Sequence, residues 1–208
     1  MSLIVHHLNN SRSQRLLWLL EELELPYEIV PYSREPKTMM GPPAIKALHP
    51  MGKSPVLEED GHLLFESGAI CDYLLTRHGE GRLMPDRHGP DYLAFVELLY
   101  FAISSGMNPI MQMMHARARG HAPDDYVVAE LARVLSYIEI KLEKGPWLLG
   151  DMFTAADIQL SFVAELANYL GSIADYPRVS DWLKRLTARP AFKRSIVRGG
   201  AYGFAFDG

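Results

Sequence analysis

Cys71 is the only cysteine in 208 residues, which excludes an internal disulfide and any CxxC redox or zinc pair. A lone thiol is foremost a small hydrophobe, so Cys71 is expected in a core. Charge of one sign is also scarce. Twenty-one Lys and Arg against 25 Asp and Glu leave a net charge of -4, with no basic block to neutralise a phosphate backbone, so nucleic acid is not an expected partner. Met1 to Leu8 carries no basic segment followed by an apolar stretch, and no later apolar run reaches the roughly 18 residues that span a bilayer. The expected setting is therefore cytoplasmic, with no membrane. His6 and His7 are adjacent on an expected strand and face opposite ways, and no His or Cys stands at ligand spacing, so no metal is expected.

What is present is enough apolar material, 48% of the chain, to bury a core without staples. Leu3 to Leu8 reads as a short strand broken by Asn9 and Asn10. Ser11-Arg12-Ser13-Gln14 fits a capping box opening a helix, and Leu16, Leu17, Trp18, Leu19, Leu20 and Leu23 supply its apolar face. Glu21, Glu22 and Glu24 fall on the expected exposed side, and Pro26 is the expected stop. Tyr27 to Tyr32 alternates as a second strand, and an irregular stretch rich in Pro, Gly and Met follows from Glu35 to Gly52. Ser54 to Glu58 and His62 to Glu66 flank Asp60-Gly61, a dipeptide that tolerates the positive φ of a two-residue hairpin turn. A helix is expected from Ser67 to about His78.

Gly79 to Pro90 is rich in Gly, Pro and charge and marks a boundary. Beyond it the periodicity is helical: Tyr92 to Met114, Asp124 to Lys144, Thr154 to Leu170 and Val179 to Thr187, with breaks at Gly145-Pro146 and Tyr176-Pro177. Thr154 to Asp157 is a capping box, flanked by Phe153 and Ile158 as a hydrophobic staple. The expected fold class is α+β in two domains: a βαβ-ββα domain over residues 1–80 with a four-stranded mixed sheet, then an all-helical domain over 88–208.

That order, together with Leu8-Asn9-Asn10-Ser11-Arg12-Ser13-Gln14-Arg15, Lys53-Ser54-Pro55-Val56-Leu57, Glu66-Ser67-Gly68-Ala69-Ile70 and Phe153-Thr154-Ala155-Ala156-Asp157-Ile158, resembles the soluble glutathione transferase family. The four motifs fall in the family's order and cover nearly the whole chain. The opening looks most like the serine-type bacterial and fungal branches: positions 6 to 13 hold neither the tyrosine nor the cysteine of the other branches. The resemblance implies a thioredoxin-like first domain, glutathione as co-substrate with no metal, conjugation to a small electrophile in detoxification, and a homodimer.

A free thiol with pKa about 8.5 is only about 3% ionised at pH 7, and lowering the pKa by about two units requires roughly 2.7 kcal/mol. In the resemblance Ser11 donates to the sulfur and favours the anion, assisted by the positive end of the first helix. On the residues alone Ser11 is equally an N-cap, and Asn10, Asn9 and Ser13 compete for the role. Ser54-Pro55 resembles the family's cis-proline turn, whose exposed backbone pairs with the cysteinyl main chain of glutathione in the manner of an added strand; the alternative is a trans proline at an edge strand. Glu66 and Ser67 open a helix directly after a strand, which suits the γ-glutamyl ammonium and carboxylate. The resemblance also implies that Lys53 or His49 reaches the glycyl carboxylate, Lys53 being the better candidate for its permanent charge, with a solvated loop lysine as the plain alternative.

Met107, Met111 and Met114 share a helix face, with Tyr100 and Ser104 a turn or two earlier, and are weak candidates for the electrophile's pocket, core packing being the plain alternative. Tyr202, Phe204 and Phe206 in the C-terminal tail either fold over that pocket or hang free. Three other functions remain open: a glutathione peroxidase, a glutathione-dependent isomerase or dehalogenase using the same cradle, and a non-catalytic module that uses this fold for protein association.

Overall fold

The structure, a computed structural model, describes residues 2–206. The chain divides into two compact units. The residues up to Glu80 together with Arg189–Gly203 make the first, and Gly81–Ala188 with the chain from Phe204 onward make the second.

In the first unit, strands β1 (Leu3–Leu8), β2 (Tyr27–Tyr32), β3 (Val56–Glu59) and β4 (His62–Phe65) form one sheet in the order β2-β1-β3-β4. β1 and β2 run parallel, as a connection through helix α1 (Ser13–Glu22) requires, and the other pairs are antiparallel. The hairpin turns on Asp60 at φ 49° and Gly61 at φ 81°. Two consecutive positive φ values match the right-handed twist of the flanking strands. Because His6 pairs with Val56 and Val56 with Phe65, the end of β1, the start of β3 and the end of β4 lie at one edge of the sheet. Helix α3 (Ser67–Arg77) leaves from that edge.

Helix α1 is buried nearly all round: Leu16, Leu17, Trp18, Leu19, Leu20 and Leu23 are each at most 3% exposed. A helix apolar on every side needs cover on every side, and the sheet and α3 cover only part of it. The rest is met by helix α9 (Pro190–Gly199), which the periodicity left unassigned and which had been expected in the helical domain. Phe192 packs edge-on against Trp18 with ring centroids 5.1 Å apart. Glu21 and Glu22, expected to face solvent, are the anchors of this contact. Glu22 takes Arg189 at 2.6 and 2.8 Å, and Glu21 takes Arg194 at 2.7 Å and Arg198 at 3.1 Å. α1 also ends before Pro26: Glu24 turns left-handed at φ 53°, and Leu25 N–H returns to the Leu20 carbonyl at 3.1 Å. A short helix, α2 (Pro43–Leu48), interrupts the stretch expected to be irregular. Cys71 is buried at 1% exposure.

The second unit comprises α4 (Tyr92–Ile103), α5 (Met107–Ala118), α6 (Asp125–Lys141) with a 3-10 turn (Leu142–Lys144), α7 (Ala155–Tyr169) and α8 (Pro177–Ala188). Every residue of α7 from Ala155 to Ala167 is buried. Its capping box is formed: Thr154 accepts from Ala156 N–H at 3.3 Å, and the buried Asp157 carboxylate accepts from Thr154 N–H, Leu148 N–H and Trp182 Nε1 at 2.9 to 3.0 Å. One helix was expected from Tyr92 to Met114. The chain instead breaks at Ser104, and Gly106 N–H turns back to the Phe101 carbonyl at 2.8 Å. A Cβ at Gly106 would sit 3.0 Å from that carbonyl oxygen, so the glycine permits the close approach.

An 18-residue window within Tyr92–Ala118 reaches the mean hydropathy, 1.3, of a membrane-crossing helix, although no apolar run of that length was expected. Within this unit its apolar side serves as core: Phe95, Leu98, Ala102, Met107 and Ile110 are each at most 5% exposed, and both helices pack on α7.

Candidate functional site

Four chain segments converge at the sheet edge that β1 leaves. The first is the turn from Leu8 to Ser13. Asn10 lies at φ 51°, a left-handed conformation that Asn tolerates better than most residues. Arg34 holds the turn from beneath, its Nε and Nη2 donating to the carbonyls of Asn9 and Asn10 at 3.2 and 2.8 Å, and its backbone N–H donating to Asn9 Oδ1 at 3.2 Å. Burial pushes the Arg34 guanidinium below its ordinary pKa, but a guanidinium starts so far above neutral pH that it remains charged. Asn10 Oδ1 accepts Gly203 N–H from the tail at 2.7 Å.

Ser11 is 6% exposed. The capping box expected from Ser11 and Gln14 is not formed: α1 begins at Ser13 with Arg12 as its N-cap and no side-chain cap. Ser11 Oγ instead accepts Ser13 N–H at 3.1 Å, two residues on, and lies 2.8 Å from Ser13 Oγ. The Gln14 side chain turns away and donates to Ser195 on α9 at 3.0 Å. The reason is tertiary. Gln14 is 3% exposed beside α9, where a buried amide needs a partner. Ser13, one of the competing donors, is wholly buried and spends its hydroxyl on His7 Nδ1 at 2.8 Å and the Leu8 carbonyl at 3.2 Å. Asn9 has its amide oxygen taken by Arg34. Asn10 likewise has its amide oxygen taken by Gly203, so each asparagine keeps its amide N–H groups for a ligand, as Ser11 keeps capacity at its oxygen.

The second segment is the Ser54-Pro55 turn, whose peptide bond is cis. Ser54 Oγ donates to the His6 carbonyl at 3.2 Å, which ties the turn to β1. Lys53, just before it, is exposed, and His49 is half-buried with its ring 3.7 Å from that of Phe65.

The third segment is the start of α3. Glu66 is exposed and stands at φ 69°, ψ 119°, a backbone region that costs a non-glycine residue of order 1 kcal/mol or more. Ser67 behind it is 5% exposed, and its hydroxyl accepts Arg15 Nη2 at 3.1 Å. Arg15 is 2% exposed within the otherwise apolar face of α1. An accepting Ser67 oxygen leaves the Ser67 proton for a ligand, and the guanidinium adds positive potential behind two helix N-termini.

The fourth segment is β1 itself through His7, 3% exposed, whose pKa is pushed down by burial and partly restored by a hydrogen bond to the Gly199 backbone. Arg15, Arg34, His7 and Gly203 were given no role at this site from the sequence. Only Arg15 carried a local signal, a permanent charge among leucines that must all be buried.

In the helical unit, Tyr100 is 66% exposed, and Ser104 ends α4 with its hydroxyl donated to the Tyr100 carbonyl at 2.6 Å. Met107 is 5% exposed in the core, while Met111 and Met114 are half-buried. The break at Ser104 puts Tyr100 and Ser104 on one helix and the methionines on the next. In the tail, Phe204 packs edge-on against Tyr169 at 5.2 Å and Phe162 at 6.2 Å, and Phe206 lines a cavity of about 420 Å³ with Ile173, Pro177 and Lys184. Among the described residues no three His, Cys, Asp or Glu side chains cluster as a metal site.

The family model described as glutathione S-transferase, N-terminal domain, matches residues 11–77, and that described as glutathione S-transferase, C-terminal domain, matches residues 101–190. Glutathione S-transferase 1 of Saccharomyces cerevisiae is 32% identical over 97% of both chains. The crystal structure of a glutathione S-transferase from Actinobacillus pleuropneumoniae superposes with a TM-score of 0.87 at 31% identity, covering 97% of this chain and 95% of the other. A glutathione transferase family member from Pseudomonas fluorescens, solved with two glutathione molecules bound, has a TM-score of 0.80 at 25% identity over 93% and 92% of the two chains.

Proposed function

This chain belongs to the glutathione S-transferase family, and on that premise we propose that its first unit cradles glutathione, lowers the thiol pKa and delivers the thiolate to a small electrophile to give a thioether. The observation that carries the reading is the convergence at one sheet edge of the Asn10–Ser11 turn, the Ser54-Pro55 turn and the Glu66-Ser67 helix start, with Arg15 of α1 bonded to Ser67 of α3. Each matches one portion of the tripeptide.

We assign the γ-glutamyl carboxylate to Ser67 and the N–H groups of α3, and its ammonium to Glu66. The cysteinyl backbone is assigned to Ser54, the glycyl carboxylate to Lys53 with His49 beside it, and the sulfur to Ser11 and Asn10. Tyr100 and Ser104, exposed on α4, are the side chains of the helical unit assigned to the electrophile. Stabilising the anion by about two pKa units and holding two reactants together account for such catalysis without a covalent enzyme intermediate. Reduction of peroxides draws on the same thiolate. A homodimer and a cytoplasmic location complete the proposal.

The test is a pH titration of the thiolate absorption of bound glutathione in the native protein, in Ser11→Ala and in Asn10→Ala, with binding followed calorimetrically and product identified by mass. The expected result is a lowered thiol pKa that moves back towards the free value in one or both variants. A native protein that binds no glutathione refutes the function.

A further inference from the structure

The hydrogen bonds around Ser11 have a direction, and it follows from His7. The Gly199 backbone lies beside the His7 ring in a contact that favours a proton on that side of it. The ring nitrogen on that side is Nε2, since a Cβ at Gly199 would lie 3.4 Å from it. In the neutral ring Nε2 therefore holds the proton and Nδ1 is bare. The partner of Nδ1 is Ser13 Oγ at 2.8 Å, so the single Ser13 proton lies on that bond, with the Leu8 carbonyl at 3.2 Å the longer alternative. Ser13 then has no proton for Ser11. With the protons so placed, the 2.8 Å contact between the two hydroxyls, which either could donate, is filled by the Ser11 proton. Ser11 Oγ meanwhile accepts Ser13 N–H at 3.1 Å and keeps one lone pair.

From this geometry, and resting on the glutathione reading above, we infer that Ser11, Ser13 and His7 form a buried proton path that takes the proton from the thiol of glutathione. In the step the S–H bond breaks and its proton joins Ser11 Oγ. The proton formerly on Ser11 passes to Ser13, and that of Ser13 passes to His7 Nδ1. The products are a thiolate and a His7 imidazolium, donating at Nε2 to Gly199 and at Nδ1 to Ser13. All three hydrogen bonds have reversed, so the Ser11 hydroxyl now points its new proton at the sulfur. One side chain thus receives the proton and afterwards stabilises the anion, without leaving its place.

His7 is a positioning residue, since it reaches the sulfur only through two hydroxyls. Burial makes it a weak base on its own, and it holds the proton only while the thiolate charge is close. Once conjugation consumes that charge, the proton returns along the same path to solvent. The charged groups on the packed elements are engaged elsewhere and do not take over the role. Arg15 is bonded to Ser67, Arg194 and Arg198 are paired with Glu21, and His6 faces away to Glu58 and Tyr32.

The experiment counts protons. Glutathione binding is measured at pH 7 by calorimetry in buffers of different ionisation enthalpy, and the thiolate formed is read from its ultraviolet band. The native protein is expected to release fewer protons than it forms thiolates. His7→Asn keeps an acceptor for Ser13 and loses the base, so its count is expected to rise to one proton per thiolate, with the thiol pKa moving towards the free value. Ser13→Ala cuts the path one residue earlier and is expected to give the same count, which keeps the test decisive if His7→Asn does not fold. One proton released per thiolate in the native protein overturns the path, as does a count unchanged in the folded variants. A structural role for His7 alone would weaken binding and leave the count as it was. Absence of glutathione binding overturns the function and the path together, whereas binding with full release overturns the path only.

Discussion

Glu66 holds a carboxylate at φ 69°, in the positive-φ half of backbone space where glycine is less restricted than any residue with a Cβ. Glu66→Gly is therefore expected to leave stability unchanged or raise it by about 0.5 kcal/mol. On the proposed assignment to the γ-glutamyl ammonium, the same change is expected to weaken glutathione binding on the order of tenfold, which is about 1.4 kcal/mol. A urea midpoint and a binding isotherm on the same variant check both, and equal binding would detach Glu66 from the ligand. Ser67→Ala removes an acceptor from the buried Arg15 guanidinium. It is expected to cost roughly 1.5–3 kcal/mol of stability, the range for a hydrogen bond to a charged group. Its KM for glutathione should rise with little change in kcat, as for a contact made equally in ground and transition states. A fall in kcat alone would contradict that assignment.

At the scale of elements, α9 is held to α1 by an apolar contact and an ion-pair network, and the network titrates. Burial pushes the Glu21 carboxyl up, but hydrogen bonds from Arg194, Tyr27 and Arg198 outweigh it and hold the group below its ordinary 4.5. A depressed carboxyl stabilises the fold fully above its ordinary pKa, and that contribution is lost as pH falls through the depressed value. α9 is therefore expected to loosen only in acid, as pH falls below the ordinary carboxylate range. Trp18 emission would report the loss of Phe192 from its side, and Glu21→Gln should abolish the acid transition. In the helical unit Asp157 takes three hydrogen bonds from N–H groups at the start of α7 and from Trp182. Asp157→Ala is expected to cost on the order of 3 kcal/mol, because three donors lose their acceptor in the interior. Asp157→Asn keeps one oxygen and is expected to cost less. Thermal unfolding of the two variants ranks them.

At the scale of the whole molecule, a ligand that binds only the folded state stabilises it by mass action. Glutathione at a hundred times its Kd is expected to add about 2.7 kcal/mol to the unfolding free energy, and dialysis should remove that increment. An unfolding midpoint that ignores glutathione would contradict binding by the native state. Sedimentation at micromolar concentration tests the homodimer, and a monomer throughout would remove it.

The sequence by itself determined whatever rests on local rules. Alternation, Asp60-Gly61, the Thr154–Asp157 box and the order of elements led to the βαβ-ββα sheet and the helical segments after it, because period, turn chemistry and capping act within a few residues. It also set Ser11, Ser54 and Glu66-Ser67 close to element ends. Tertiary structure decided the rest, because those interactions join residues far apart in the chain. Glu21 and Glu22 bear α9 rather than water because Arg189, Arg194 and Arg198, more than 160 positions away, come to lie against them. Gln14 abandons a capping box for Ser195, and Arg15 reaches Ser67 across the α1–α3 contact. In the proposed proton path the Ser11 hydroxyl answers to a histidine that lies beside a glycine backbone 192 positions away, and no pattern along the chain carries that.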